Sequence, residues 1–162
     1  MTHHPPLPHP ATQGFTLIEM LITLAVLGII LGIAAPAMLN WKAKLDADNF
    51  LASLASDLNT SRTRAMSTGQ RRQIRLLDAK SYVVENQAVG SSTWTTVRTG
   101  TASSNVINLT TTSGRIYGFQ SVGFVTVTTS TGTAASNYDI TALTGTGQKI
   151  ITVTALGLAR RQ

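Results

Sequence analysis

The sequence predicts an α+β fold: a long N-terminal helix, membrane-spanning in its first half and amphipathic in its second, packed on an antiparallel β-sheet domain. Three observations carry this expectation. An apolar run, FTLIEMLITLAVLGIILGIAA, fills residues 15–35 and holds one charge, Glu19. Apolar positions then recur at helical spacing up to residue 69. From residue 70 onward the chain is rich in β-branched residues, alternates polar with apolar, and is punctuated by glycine. The expected divisions are residues 1–14, 15–36, 37–69 and 70–162.

Residues 1–13 (MTHHPPLPHPATQ) contain every proline except Pro36 and all three histidines, His3, His4 and His9. So many prolines oppose a helix and a core, so the stretch reads as disordered. Histidine-rich tracts can bind metal. No carboxylate or second cluster accompanies these three, and no metal site is expected.

As a helix, residues 15–35 reach about 31 Å, the thickness of a bilayer's hydrocarbon core. A secretory signal peptide is the rival reading. Signal peptides carry a basic stretch before a shorter apolar core and a small-residue cleavage site after it. Residues 1–14 contain no Lys or Arg, and the run is longer than such a core. Ala35-Pro36-Ala37 has the cleavage-site form, so a cut after Ala37 stays open. A retained membrane helix fits the length better. The first bases after the run are Lys42 and Lys44, which by the positive-inside rule point against export of the C-terminal domain.

Pro36 is expected to kink the helix without ending it, because helical signals resume. Phe50, Leu54 and Leu58 stand at i, i+4 and i+8; Leu51 and Ala55 widen the stripe, and Ala65 and Met66 extend it. Lys44, Asp48, Asp57 and Arg64 are expected to face water. Gly69 is the expected C-cap. Strands are expected at 73–77, 81–86, 93–99, 105–110, 114–119, 124–129, 137–143 and 149–155. Turn signals stand at 78–80, Gly100, Ser113-Gly114, Gly132 and 145–147.

Charge and inventory narrow the function. Thirteen bases against seven acids give a formal charge of +6 in a chain with only 12% charged residues. Such a balance suits nucleic acid, anionic lipid or an acidic partner, and equally suits plain solubility. The chain has no cysteine and no histidine beyond residue 9. Asp46, Asp48, Asp57, Asp78, Glu85 and Asp139 form no recognisable paired-acid or metal motif. Gly145-Thr146-Gly147 is neither a dinucleotide fingerprint nor a P-loop. An enzyme and a cofactor are therefore not expected.

The segment GFTLIEMLITLAVLGIILGIAAP resembles the N-terminus of type IV prepilins and type II secretion pseudopilins. The resemblance covers Gly14, Phe15, Thr16, Leu17, Ile18, Glu19, the apolar run, and Pro36 twenty-one residues past Phe15. Residues 51–75 and the ending VTALGLARR (153–161) are similar, more loosely, to minor pilins and pseudopilins of the GspH/FimT kind. The resemblance implies that a membrane prepilin peptidase cuts between Gly14 and Phe15 and N-methylates the new amine of Phe15. Glycine suits the cut because its backbone admits close approach. It implies a single-pass inner-membrane protein with an exported, periplasmic domain that joins a pilus or pseudopilus. Its partners would be other pilin or pseudopilin subunits, the peptidase and membrane lipid. Glu19 would pair with the Phe15 ammonium of a neighbouring subunit.

Arg62, Arg64, Arg71, Arg72 and Arg75 cluster in sequence, and Arg160 and Arg161 adjoin the C-terminus. The bland reading is a solvated basic surface, with Arg62 and Arg64 favoured by the helix dipole. The sharper reading is a patch for double-stranded DNA. Some FimT-type pilins carry a glycine–arginine motif near the C-terminus for DNA uptake in natural transformation. Gly157-Leu158-Ala159-Arg160 matches its glycine and last arginine, while Leu158 replaces the first. Trp94 and Tyr82 are the stacking candidates. A third possibility is an unrelated single-span protein with a β-rich exported domain.

Overall fold

A computed structural model describes residues 15–103, 107–110, 114–145 and 147–162. The expected leader, including Gly14, lies outside the described residues. Helix α1 spans Leu17–Thr68, 52 residues, and Pro36 lies inside it without ending it. Among the described residues nine strands come after it: β1 (Arg71–Leu76), β2 (Ser81–Gln87), β3 (Trp94–Thr101), β4 (Asn108–Leu109), β5 (Ile116–Phe119), β6 (Val125–Thr128), β7 (Ile140–Thr144), β8 (Gly147–Val153) and β9 (Ala159–Arg161).

The chain divides into two units, one up to Leu39 and one of Asn40–Gln162. In the first, the helix is exposed on every side, including Leu21, Val26, Ile29 and Ile33. It is long and apolar enough to cross a membrane. A contiguous exposed apolar surface of this kind marks a site of membrane or protein contact.

In the second unit, one face of α1 carries the core. Ala47, Phe50, Leu51, Leu54, Leu58 and Ala65 are buried at spacings of three and four. They share one cluster with Ile74, Leu76, Tyr82, Tyr117 and Phe119, and with Ile107, Leu109, Ile140, Ala142, Ile151 and Val153. Gly69 succeeds the helix at φ +68°, and its N–H bonds the Ala65 carbonyl. That is the left-handed C-cap, which costs glycine little.

The strands form two antiparallel sheets where the sequence suggested one. The first has the order β3-β2-β1-β5-β6 and the second β4-β7-β8-β9. The division is invisible locally because β1 pairs β5 across forty residues of chain. Strand alternation sorts the first sheet's side chains. Arg72, Ile74 and Leu76 turn inward, while Arg71, Gln73 and Arg75 take the outer face. β9 was not foreseen as a strand. It pairs β8 in the register Ile151↔Arg161, Thr152↔Arg160 and Val153↔Ala159.

Three local expectations need correction. Asp57 is buried, held by Tyr82 and Arg98. Met66, expected to extend the core stripe, is largely exposed, and the helix ends two residues later at Thr68. Gly100 is not a turn residue. It sits inside β3 opposite Tyr82, where the tyrosine ring takes the space a Cβ would need.

One side chain of α1 holds β9 by two hydrogen bonds. Asn59 Nδ2 donates to the Ala159 carbonyl and its Oδ1 accepts from the Ala159 N–H, both at 2.9 Å. Asn59→Ala removes both bonds at once, at a cost of about 1–3 kcal/mol. Amide exchange at Ala159 is expected to speed up by at least about tenfold, with the β1–β2 amides little changed.

Candidate functional site

Two regions hold the residues singled out by sequence: the head of the helix and the arginine-bearing surface. At the head, Phe15 and Glu19 are both exposed. Glu19 N–H donates to the Thr16 side-chain oxygen at 3.3 Å, and the Met20 N–H bonds the Thr16 carbonyl. Thr16 is thus the N-cap, and Thr16-Leu-Ile-Glu19 has the spacing of a capping box. The sequence reading missed Thr16, although T-x-x-E before an apolar run is the signal for it. Glu19 consequently stands in the first turn, where a carboxylate faces the positive end of the helix dipole. One turn on, the Thr23 hydroxyl donates to the Glu19 and Met20 carbonyls, satisfying its own polarity inside the apolar run.

The seven arginines do not form one patch. Arg62 and Arg64 lie before the last turn of α1, so the dipole does not account for them. Arg62 instead donates through Nε to the Leu156 carbonyl at 2.5 Å, and its Cδ lies beside Gly157. At φ +74°, Gly157 turns the chain back toward β9. The glycine of the C-terminal motif is therefore a turn gripped from the helix. Arg160 and Arg161 are adjacent in a strand and project to opposite faces. Arg160 pairs with the outward Thr152, while Arg161 donates to the Asp48 carbonyl at 3.1 Å. Beside it, Lys149 is ion-paired with Asp48.

On the first sheet, Arg75 is committed to Glu85 at 2.6 Å, and Gln73 donates to the other carboxylate oxygen at 2.6 Å. Burial pushes the Glu85 carboxyl up, but these two hydrogen bonds and the Arg75 charge outweigh it. Its net pKa falls below the ordinary glutamate value. A depressed pKa means that the contribution is complete above the unfolded value, about 4.3, and is lost as pH falls through the folded one. In acid titrations followed by circular dichroism, Glu85→Gln is expected to flatten the stability profile below about pH 4.

Arg71 is free of this pair and lines an open depression on the outer face with Gln73, Trp94, Thr126 and Thr128. The register Arg71↔Gln87↔Trp94 brings the guanidinium and the indole to one face. Tyr82 is not available for stacking. It is fully buried, its ring centroid 5.5 Å from that of Phe50. Its hydroxyl donates to Asp57 Oδ2 at 2.8 Å, and Arg98 Nη1 donates to Asp57 Oδ1 at 2.8 Å. Burial, then the Asp57 hydrogen bond and charge, push the Tyr82 phenol far above its ordinary pKa, so it stays a donor. Among the described residues no cluster of metal-binding side chains is found.

The prokaryotic N-terminal methylation motif matches residues 10–35. The match begins in the leader and ends one residue before Pro36, and it takes in the Thr16 cap, Glu19 and the exposed apolar helix. No solved structure matches the chain. The motif indicates a type IV pilin-like or pseudopilin precursor. It implies a substrate for a prepilin peptidase and interaction with other pilins, and the apolar helix suggests membrane anchoring.

Proposed function

We propose that this protein is a minor pilin or pseudopilin of the GspH/FimT kind. It is cut between Gly14 and Phe15, N-methylated on Phe15, and built into a type IV pilus or type II secretion pseudopilus with its β-rich domain exported. The carrying observation is that the methylation motif coincides with an apolar helix that the described chain leaves wholly uncovered. A single span satisfies its own backbone polarity in lipid, and the same surface later packs against neighbouring helices of the filament. The inventory supports a structural role, in which the protein is acted on by the peptidase.

The processing step is read by intact mass and N-terminal sequencing after co-expression with a prepilin peptidase. The expected product begins at N-methyl-Phe15. A chain that retains Met1, or one cut after Ala37, overturns the reading. The second product would instead support the signal-peptide alternative.

A second reading is favoured by one observation, the pairing of Arg71 with Trp94 in an open depression. Cationic and aromatic side chains together suit nucleic acid, the base stacking on the indole and the backbone meeting the guanidinium. In this reading the protein is a DNA-binding minor pilin for uptake. Gel shifts with double-stranded DNA should be salt-sensitive and weakened by Arg71→Ala and Trp94→Ala. No shift at low salt rejects it. Because Arg160 and Arg161 project to opposite faces, only one of them can belong to any single DNA-facing surface.

A further inference from the structure

Behind the first sheet, on the side of α1, lies a second basic feature. Asp57, Thr60, Ser61 and Arg64 from the helix, Arg72 from β1 and Arg98 from β3 line a cavity of about 270 Å³. Three guanidinium groups meet one carboxylate there. Asp57 already accepts from Arg98 and Tyr82, so it does not neutralise the other two arginines. Arg72 is only 8% exposed, and its Nε has no hydrogen-bond partner among the described residues. A buried guanidinium without a counter-charge is costly, and the arrangement retains two neighbouring cations. Burial, then the charge of Arg64, depress the Arg72 pKa, consistent with two cations held close together.

We infer that this cavity is a binding site for a small dianionic oxyanion, phosphate or the terminal phosphoryl group of a phosphomonoester. The charge matches: three arginines less one aspartate leave two positive charges, and a phosphoryl group carries about −1.5 to −2 at neutral pH. The donors match as well. Guanidinium forks bind tetrahedral oxyanions through paired N–H groups, and the hydroxyls of Thr60 and Ser61 can supply further donors. The cavity falls just under the range of drug-sized pockets, which suits a compact ion. The Arg72 side chain turns to the opposite side of β1 from Arg71, although Arg72 also borders the depression that Arg71 and Trp94 line, and the site does not depend on the assembly reading.

The test uses the full chain in a neutral detergent, titrated with inorganic phosphate against chloride at matched ionic strength. Binding is read by calorimetry and by the thermal midpoint. Phosphate is expected to bind saturably and raise the midpoint, and sulfate is expected to compete. Arg64 is exposed, so Arg64→Gln should leave the fold intact in chloride while weakening phosphate at least tenfold. Arg71→Gln, on the other face, should leave it unchanged. Competition by methyl phosphate would place the phosphoryl group on a larger molecule; its failure would leave free phosphate as the ligand. A phosphate effect no larger than that of chloride overturns the inference. So does unchanged affinity in Arg64→Gln, or an equal loss in Arg71→Gln.

Discussion

Glu19→Ala is expected to lower incorporation into filaments by about 100-fold or more while membrane insertion and processing continue. The expectation rests on the proposed assembly role. Removing one partner of a buried ion pair costs about 3–5 kcal/mol, because the other charge is left without compensation. Every 1.4 kcal/mol is about tenfold in an equilibrium. Before assembly the Glu19 side chain is exposed. The chain itself therefore gains little from the charge beyond what the helix dipole contributes. The cap geometry supplies the discriminating variants. Glutamine serves as well as glutamate at the third position of a capping box, so Glu19→Gln preserves the helix start and removes only the charge. Thr16→Ala does the reverse, costing about 1 kcal/mol of cap and leaving the carboxylate in place. If pairing is the role, Glu19→Gln assembles as poorly as Glu19→Ala, and Thr16→Ala assembles nearly normally. Sheared filaments, blotted against the membrane pool, give the measurement. Normal assembly of Glu19→Gln would reduce the acid to a local capping group.

The head of the helix was legible because its information is local. GFTLIE, the apolar run and Pro36 lie within about twenty residues, and none of them needs a distant partner to be recognised. The stripe of Phe50, Leu54 and Leu58 was legible for the same reason. The arginines were not. Whether Arg71 and Arg72 belong together is decided by the two-residue period of β1, which sends neighbours to opposite faces. Arg160 and Arg161 separate in the same way across β9, a strand of three residues too short to show a pattern. Asp57 adjoins the apolar stripe, and helical periodicity alone reads such a flank residue as solvated. Its partners come from β2 and β3, twenty-five and forty-one residues away. A shift of the β2–β3 register between Val84 and Glu85 helps set where Arg98 stands against the helix. The division into two sheets likewise depends on the long-range pairing of β1 with β5.

Gly100→Ala is expected to lower the thermal midpoint by on the order of 10 °C, a large effect for one methyl group on an edge strand. An added Cβ would stand 2.6 Å from the Tyr82 hydroxyl oxygen and closer still to the ring carbons. The φ of Gly100 is not in the left-handed region, so backbone strain is not the cause. The ring is also the wrong neighbour to displace. It is fully buried beside Phe50, and its hydroxyl anchors Asp57. Overpacking costs about 1–3 kcal/mol. Losing a hydrogen bond to a charged group adds about 1.5–3 kcal/mol. A moved ring would also leave Asp57 with Arg98 alone, and the Arg98 side chain is half exposed. Steric origin has a signature in a double-mutant cycle. Tyr82→Leu shortens the side chain that the new methyl strikes. Gly100→Ala combined with Tyr82→Leu should therefore destabilise by clearly less than the sum of the single changes, with a coupling of about 1–3 kcal/mol. Tyr82→Phe keeps the ring carbons in place and should give little relief. Additive losses in the Tyr82→Leu cycle, read by near-ultraviolet circular dichroism, would remove the close approach as the reason for glycine at this position.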